Sequence, residues 1–118
     1  MKIGYVRTST SDQNPENQIR LLMDEGVPEA CIFVDHGVSG TVPVERRPGY
    51  SRMEEFIESH AVKTLYVFEI SRLGRSFVDT LMRVIELEEK GIQVWSLSPA
   101  ESWTRIESKS LRDLMLMI

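Results

Sequence analysis

The sequence predicts an α/β fold in which a mainly parallel sheet of four to five strands is flanked by helices. The first observation is an alternation of short, β-rich apolar runs with longer stretches whose apolar residues recur at helical spacing. The second is the order β-α-β-α-β-α-β-α, marked by turn and capping residues, which favours parallel pairing with crossover helices. The chain has 118 residues, 42% of them hydrophobic, which suits one globular domain.

The first half of the chain contains two predicted strands, each followed by a helix. Residues 2–7 form the first strand, because their apolar side chains alternate between two faces. Asn14-Pro15-Glu16 is typical of a helix start, with Asn as N-cap and Pro at the first helical position, and Gly26 ends this helix. We predict a second strand over 30–35 and a second helix over 49–60. The long irregular segment between them in sequence is expected to be a mobile loop over a site.

The second half repeats this pattern. An apolar run over 63–69 predicts a buried third strand, and a second run over 92–97 predicts a fourth. Between them, Ser76 and Asp79 resemble a capping box for a helix over 77–90. The inward stripe of this helix is predicted to be Phe77, Leu81, Val84 and Ile85.

Residues 106–118 predict the start of a further helix, whose final five residues are all apolar. A helix that is apolar all round must be buried against something. We expect a longer helix that is cut short here and whose missing length continues an oligomer interface. The alternative is a C-terminal helix folded onto its own sheet.

The chain is acidic overall, with several Arg residues in predicted loops. The net charge of −4 argues weakly against a general nucleic-acid-binding surface. Ten of the 14 basic residues are Arg, the side chain that binds phosphate in a bidentate manner. Such a protein would handle one phosphate group and leave bulk DNA affinity to another module. One cysteine, no signal-peptide pattern and no apolar stretch of membrane length predict a reducing, intracellular location in the cytoplasm.

Three loops that follow three predicted strands carry the same chemistry. In a parallel sheet these loops share one edge, which is where ligands are held. A guanidinium beside a hydroxyl suits attack on phosphorus, because the attacking oxygen must approach negative charge. The plainer alternative is that Ser9 and Thr10 only cap a turn and that Arg7 is a surface charge. The side chains are Arg7, Ser9 and Gln13 after the first strand, Asp35, Ser39 and Arg47 after the second, and Ser71, Arg72 and Arg75 after the third.

Together these residues resemble the catalytic domain of the serine site-specific recombinases, which include resolvases, invertases, integrases and transposases. The resemblance covers nearly all of the chain and implies a resolvase-like fold. It implies a catalytic domain over 1–104, the start of a long oligomerisation helix over 105–118, and a separate DNA-binding domain absent from this sequence. The matching residues are Tyr5-x-Arg7-x-Ser9-Thr10, Gln13, Gln18, Phe33-x-Asp35 with Ser39-Gly40, Arg47-Pro48-Gly49 and Arg72-Leu73-Gly74-Arg75-Ser76.

The resemblance implies that Ser9 attacks a DNA phosphodiester, forms a 5′-phosphoserine intermediate and releases a 3′-hydroxyl. Another strand's 3′-hydroxyl then reseals the DNA. One phosphodiester replaces another of similar energy, so the chemistry requires no ATP, metal or other cofactor. The implied partners are DNA and further copies of the chain, as a homodimer that assembles to a tetramer through the last helix. The implied phosphate clamps are Arg7, Arg72 and Arg75, and the further phosphate-binding or orienting candidates are Arg47, Tyr5, Gln13, Gln18, Asp35 and Ser39.

One departure from the family pattern bears on proton transfer. The family often carries Asp immediately before the first Arg of Arg-Leu-Gly-Arg, where this chain has Ser71. Glu69 lies two residues earlier, and we expect Glu69, a water or an Arg to protonate the leaving oxygen instead. Two alternatives stay open: a regulatory or assembly module that keeps the fold without the chemistry, and a phosphatase-like hydrolase with the same Arg-walled site. Structural roles also fit Tyr5, Gln18, Asp35 and Ser39.

Overall fold

Four parallel strands form the centre of the structure, a computed structural model that describes residues 1–10 and 14–105. The strands follow the spatial order β2-β1-β3-β4, and every neighbouring pair is parallel. This confirms the predicted α/β class. The strands are β1 (Lys2–Arg7), β2 (Ile32–Asp35), β3 (Thr64–Val67) and β4 (Gln93–Ser96), and the helices are α1 (Glu16–Asp24), α2 (Pro48–Ser59) and α3 (Phe77–Glu89). Short 3₁₀ segments lie at Glu29–Cys31, Val44–Arg46, Ile70–Leu73 and Pro99–Arg105.

Helices cover both faces of the sheet, which is why β1 is apolar on both sides. On one face, Ile3 and Tyr5 pack in a core cluster with residues of α2 and α3. On the other face, Val6 packs with Leu22 of α1. A Cβ at Gly4 would lie 2.9 Å from Leu22 Cδ1, so the absence of a side chain at Gly4 allows α1 to lie directly on β1.

The predicted helix signals are present in the structure. Asn14 Oδ1 accepts a hydrogen bond of 2.9 Å from the Glu16 amide, and Gly26 follows α1 with a φ of +93°. Ser76 Oγ accepts a hydrogen bond of 3.1 Å from the Asp79 amide at the start of α3. The Asp79 carboxylate completes the cap by accepting from the Arg75 amide at 3.0 Å.

The predicted inward stripe of α3 is correct at Val84 and wrong at Phe77 and Ile85. Phe77 is 73% exposed and Ile85 is 42% exposed, whereas Thr80, Val84 and Leu87 are buried. The helix is rotated because its first turn packs tightly on the segment before it. A Cβ at Gly74 would lie only 2.6 Å from Thr80 N, so the close approach of Gly74 and Thr80 sets which side of α3 faces inward.

Element boundaries also differ from the prediction. The second strand begins at Ile32 because Glu29–Cys31 forms a 3₁₀ turn after Pro28. The strands β3 and β4 are each four residues long, shorter than predicted, and α2 begins at Pro48, the first helical position that proline favours. The helix predicted over 106–118, its oligomer interface and Gln13 lie outside the described residues. None of the helices in the described ranges is long and apolar enough to cross a membrane.

We expect Gly49→Ala to lower the free energy of unfolding by about 2 kcal/mol or more. A Cβ at Gly49 would lie 2.6 Å from the Val34 carbonyl oxygen, a backbone atom that cannot rotate away. Helix propensity alone would favour alanine in α2. Urea unfolding measures the change, and Glu55→Ala on the exposed side of α2 serves as control, with an expected change within about 0.5 kcal/mol. Equal stabilities of the two variants would show that the contact is not tight.

Candidate active site at the carboxyl edge of the sheet

The loops that follow β1 and β2 are bound to each other at the carboxyl edge of the sheet. The Thr8 amide donates to the Asp35 carbonyl at 3.0 Å, and the Val38 amide donates to the Thr8 carbonyl at 2.9 Å. Thr8 Oγ1 also lies 2.8 Å from His36 Nδ1 and accepts from the Gly37 amide at 3.2 Å. The backbone that leads into Ser9 is therefore anchored to the neighbouring loop. Sequence reasoning missed Thr8, because its partners are about 30 residues away and no local pattern marks them.

Asp35 is buried and caps α2 from outside that helix. Its Oδ1 accepts from the Gly49 amide at 2.7 Å, and its Oδ2 accepts from the Tyr50 amide at 3.0 Å. A carboxylate at a helix N-terminus is stabilised by free amides and by the helix dipole. The Tyr5 hydroxyl donates to the same Oδ2 at 2.7 Å. Asp35 at the end of β2 therefore joins Tyr5 of β1 to the start of α2.

Arg47 is fully buried immediately before α2, where it binds main-chain carbonyls of two loops. In the loop after β2, its Nε donates to the Val42 carbonyl at 3.0 Å and its Nη2 donates to the Gly40 carbonyl at 3.1 Å. Its Nη1 donates to the Arg72 carbonyl at 2.7 Å and Nη2 donates to the Gly74 carbonyl at 3.1 Å. The structure thus places this predicted phosphate ligand in the packing between the loops, where it holds the loop after β2 against the loop after β3.

Arg7 lies at the end of β1 with little exposure and points toward the loop after β2. Its Nη1 donates to the Val38 carbonyl at 2.8 Å, and a Cβ at Gly40 would lie 3.2 Å from its Nη2. Burial lowers the pKa of Arg7, and the positive charges of Arg72 and Arg47 lower that pKa further. The guanidinium groups of Arg72 and Arg47 are therefore close enough to repel that of Arg7. Such a cluster attracts an anion.

Arg72 and Arg75 are contributed by the segment after β3. Arg72 is half-buried, and its Nη2 lies 3.2 Å from Glu69 Oε1. The Nε atoms of both Arg7 and Arg72 are buried, and neither has a hydrogen-bond partner among residues 1–10 and 14–105. Arg75 is exposed and, with the exposed Ser71, lines a groove of about 380 Å³. Both arginines thus lie on one short segment at the carboxyl edge.

The remaining candidates, which carry hydroxyl or amide side chains, are Ser9, Ser39 and Gln18. Ser9 is exposed two residues after Arg7. Ser39 is exposed and its Oγ lies 2.9 Å from Thr41 Oγ1, within its own loop. Gln18 is half-buried on α1, and its buried Oε1 has no hydrogen-bond partner in the described part of the chain. A hydrogen bond therefore joins Tyr5 to Asp35. Charge interactions link Arg7 with Arg47 and Arg72, whereas Ser39 and Gln18 join neither group.

The geometry suits the handling of one negatively charged group beside a hydroxyl. Arg7 and Arg72 bring positive charge together at the carboxyl edge. Ser9 and Arg75 are exposed in the segments that follow β1 and β3 at this edge. Guanidinium groups stabilise phosphoryl oxygens through charge and bidentate hydrogen bonds. Glu69 is paired with Arg72, so it reduces but does not cancel the positive charge of the cluster.

Comparisons with known proteins agree with this geometry. The family model described as "Resolvase, N terminal domain" matches residues 2–118. The chain is 38% identical over 115 residues to the Tn552 transposon resolvase of Staphylococcus aureus, covering 98% of this chain and 54% of that protein. It is 41% identical over 98 residues to the serine recombinase gin of Escherichia phage Mu, covering 83% of this chain and 47% of that protein. The chain therefore spans about half the length of these curated relatives.

A solved structure shows the same fold. The structure is similar to the crystal structure of the N-terminal catalytic domain of TP901-1 integrase, with a TM-score of 0.77 and 29% sequence identity. The match covers 99% of this chain and 90% of that chain.

Arg47→Lys should lower the free energy of unfolding by about 2–4 kcal/mol, because one ammonium group cannot reach four carbonyls in two loops. The matched control is Arg46→Lys, since Arg46 is the exposed neighbour and its replacement should change stability by no more than about 0.5 kcal/mol. Chemical denaturation measures both. Similar stabilities for the two variants would mean that the buried guanidinium contributes little to holding the loops.

The fold should lose stability at alkaline pH through its buried tyrosines. Burial raises the pKa of Tyr5, and its hydrogen bond to Asp35 raises that pKa further. Burial also raises the pKa of Tyr50, and the negative charge of Glu54 adds a smaller effect in the same direction. Above the ordinary tyrosine pKa of about 10, the unfolded chain releases these protons and the folded chain retains them. Each tyrosine should therefore cost about 1.4 kcal/mol of stability per pH unit above that value.

Denaturation curves at pH 9, 10 and 11 test this expectation. Tyr5→Phe removes one titrating group, so its stability should fall less steeply with pH than that of the unmodified protein. Parallel slopes for the two proteins would contradict the assigned pKa direction.

Proposed function

The chain belongs to the resolvase N-terminal domain family, and from this premise we propose that it carries the catalytic chemistry of a site-specific DNA recombinase, with Ser9 as nucleophile. The observation that supports this most is the set of arginines at the carboxyl edge: Arg7 and Arg72 both have buried Nε atoms without an acceptor among the described residues, and burial and then the charges of Arg72 and Arg47 lower the pKa of Arg7. A phosphodiester at this position would relieve the repulsion among these charges.

The proposed step exchanges one phosphodiester for another. Ser9 Oγ attacks the phosphorus and loses its proton, the bond from phosphorus to the 3′-oxygen breaks, and the 3′-oxygen gains a proton. The DNA then carries a 5′-phosphoserine link and a free 3′-hydroxyl. Attack by the 3′-hydroxyl of another strand reverses the step and restores Ser9. Because bonds of similar energy form and break, the reaction needs no external energy source.

The arginines have different proposed roles. Arg7, Arg72 and Arg75 neutralise the charge that develops on the phosphoryl oxygens in the transition state. Arg47, by contrast, has its guanidinium nitrogens bonded to carbonyls, so we assign it an orienting role. We assign orienting roles to Asp35 and Tyr5 as well. Tyr5 donates a hydrogen bond to Asp35, and Asp35 accepts one from the Gly49 amide in α2.

Proton transfer to the leaving oxygen remains open to Glu69, an arginine or water. The ion pair between Glu69 and Arg72 favours an orienting role for Glu69, because the carboxylate holds the guanidinium at 3.2 Å. Ser71 is exposed and lines the groove beside Arg75, so it lies beside the proposed phosphate site without supplying a carboxylate. A Glu69→Gln variant that cleaves at an unchanged rate would remove Glu69 as the proton donor.

The complete assembly is proposed from the family and from the sequence. We propose that residues 1–104 are the catalytic domain, that 105–118 start an oligomerisation helix, and that a homodimer assembles to a tetramer on DNA in the cytoplasm. The Tn552 resolvase and gin are both longer than this chain, which leaves room for a separate DNA-binding domain. DNA affinity would then come mainly from outside this acidic domain.

Ser9→Ala should abolish the covalent protein–DNA adduct, lowering its yield on the order of a thousand-fold or more. The full-length protein is incubated with supercoiled plasmids carrying fragments of the source genome, and adducts are trapped with SDS and sequenced. The released 3′ ends should be extended by terminal transferase, which requires a free 3′-hydroxyl and no template, whereas the 5′ ends should be blocked by protein.

The matched control is Thr10→Ala, which removes the adjacent exposed hydroxyl and should leave adduct formation within about tenfold of the original. An adduct that persists in Ser9→Ala would exclude Ser9 as nucleophile. No adduct with the unmodified protein would favour the assembly module that keeps the fold without the chemistry.

A further inference from the structure

Glu101 reaches from the segment after β4 to the start of the segment that carries Arg72. Its Oε1 accepts from the Ile70 amide at 2.9 Å and from the Ser96 hydroxyl at 2.6 Å. Ile70 is the first residue of the 3₁₀ turn Ile70–Leu73, and Ser96 is the fully buried last residue of β4. One carboxylate oxygen thus links the end of β4 to the beginning of the turn that contains Arg72.

The turn is held at both of its ends by charged side chains from other loops. Glu101 holds the amide at its start, while Arg47 binds the Arg72 carbonyl at 2.7 Å and the Gly74 carbonyl at 3.1 Å. Charge-assisted hydrogen bonds of this length are about twice as strong as bonds between neutral groups. Because Arg75 follows directly after Gly74, the same two anchors fix the backbone of both arginines.

The segment that carries Glu101 is also held by bonds that do not involve its carboxylate. The backbone there has separate bonds, because Thr104 Oγ1 donates to the Glu101 carbonyl at 2.9 Å and accepts from the Ser96 amide at 3.0 Å. The Glu101 amide itself donates to the Ser98 carbonyl at 2.9 Å. The side-chain bond to Ile70 thus connects two segments, and Glu101→Ala removes it together with the bond to the Ser96 hydroxyl while leaving these backbone bonds in place.

We propose that Glu101 is a positioning residue that holds the Ile70–Leu73 turn so that Arg72 and Arg75 meet the phosphate, an inference that rests on the proposed recombinase function. Glu101 acts through the backbone of the turn and does not contact the reacting atoms. It also lines the groove shared by Ser71 and Arg75, so its bond to Ile70 lies beside the proposed site.

The test compares Glu101→Ala, Glu101→Gln and Thr104→Val in the full-length protein, using the DNA fragment on which the unmodified protein forms its adduct. Glu101→Ala should lower the rate of adduct formation at saturating DNA by about 10- to 100-fold, because a small misplacement of a clamp has this effect on chemistry. The DNA concentration that gives half the maximal rate should change less than about threefold. Glu101→Gln should keep most of the rate, because its amide oxygen accepts the same two bonds.

Thr104→Val controls for a merely structural effect, since it removes hydrogen bonds of the same segment and leaves the carboxylate in place. It should lower thermal stability while keeping the rate at saturating DNA, at a temperature where all variants are folded. Amide hydrogen exchange at Ile70 should become faster in Glu101→Ala but not in Glu101→Gln, which reports the bond without DNA.

Three results would overturn the inference. The first is an unchanged cleavage rate in Glu101→Ala at saturating DNA. The second is equal loss in Glu101→Gln and Glu101→Ala, which would mean that the charge of Glu101 matters and that its hydrogen-bond acceptor does not. The third is a rate loss in Thr104→Val that matches Glu101→Ala at equal loss of stability. If the unmodified protein forms no adduct, the proposed function itself is wrong and the inference falls with it.

Discussion

The buried guanidinium of Arg47 is the interaction on which the arrangement of the carboxyl edge depends. Its charge is removed from water and is stabilised by four main-chain carbonyls in two loops that lie about 30 residues apart in sequence. Burying a charge without such bonds would cost folding free energy. Separation of the two loops would therefore expose these carbonyls or leave the Arg47 charge buried without hydrogen-bond partners. The position of Arg72 relative to the loop after β2 follows from this constraint.

The arginines of this edge differ in how far the protein satisfies their hydrogen-bond donors. Arg47 directs its donors inward to carbonyls, whereas Arg7 and Arg72 have buried Nε atoms with no acceptor among the residues the structure describes. Their charges remain close to one another, which lowers the pKa of Arg7 beyond the effect of burial alone. A fold that holds like charges together in this way attracts a group of opposite charge. A phosphodiester is negatively charged, and its oxygens can accept bidentate hydrogen bonds from guanidinium groups.

Local and periodic features of this fold could be predicted from sequence, whereas long-range contacts could not. The Asn14 and Ser76 caps and the parallel order depend on neighbouring residues and were found. The inward face of α3 was predicted correctly at Val84 but wrongly at Phe77 and Ile85, because the rotation of the helix depends on a close approach between Gly74 and Thr80. The motif arginines could be selected by type, but nothing in the sequence separates the buried Arg47 from the exposed Arg75. Glu101 was missed because its segment carries no pattern and its partner is 31 residues away.

The most direct test of this division among the arginines is a crystal structure of the full-length protein trapped on cleaved DNA. We expect a phosphate bonded to Ser9 and contacted by the guanidinium groups of Arg7 and Arg72, with Arg47 still bonded to the carbonyls of Gly40, Val42, Arg72 and Gly74. A complex in which Arg47 leaves these carbonyls to bind the phosphate, or in which the phosphate lies away from Arg7 and Arg72, would contradict these assigned roles.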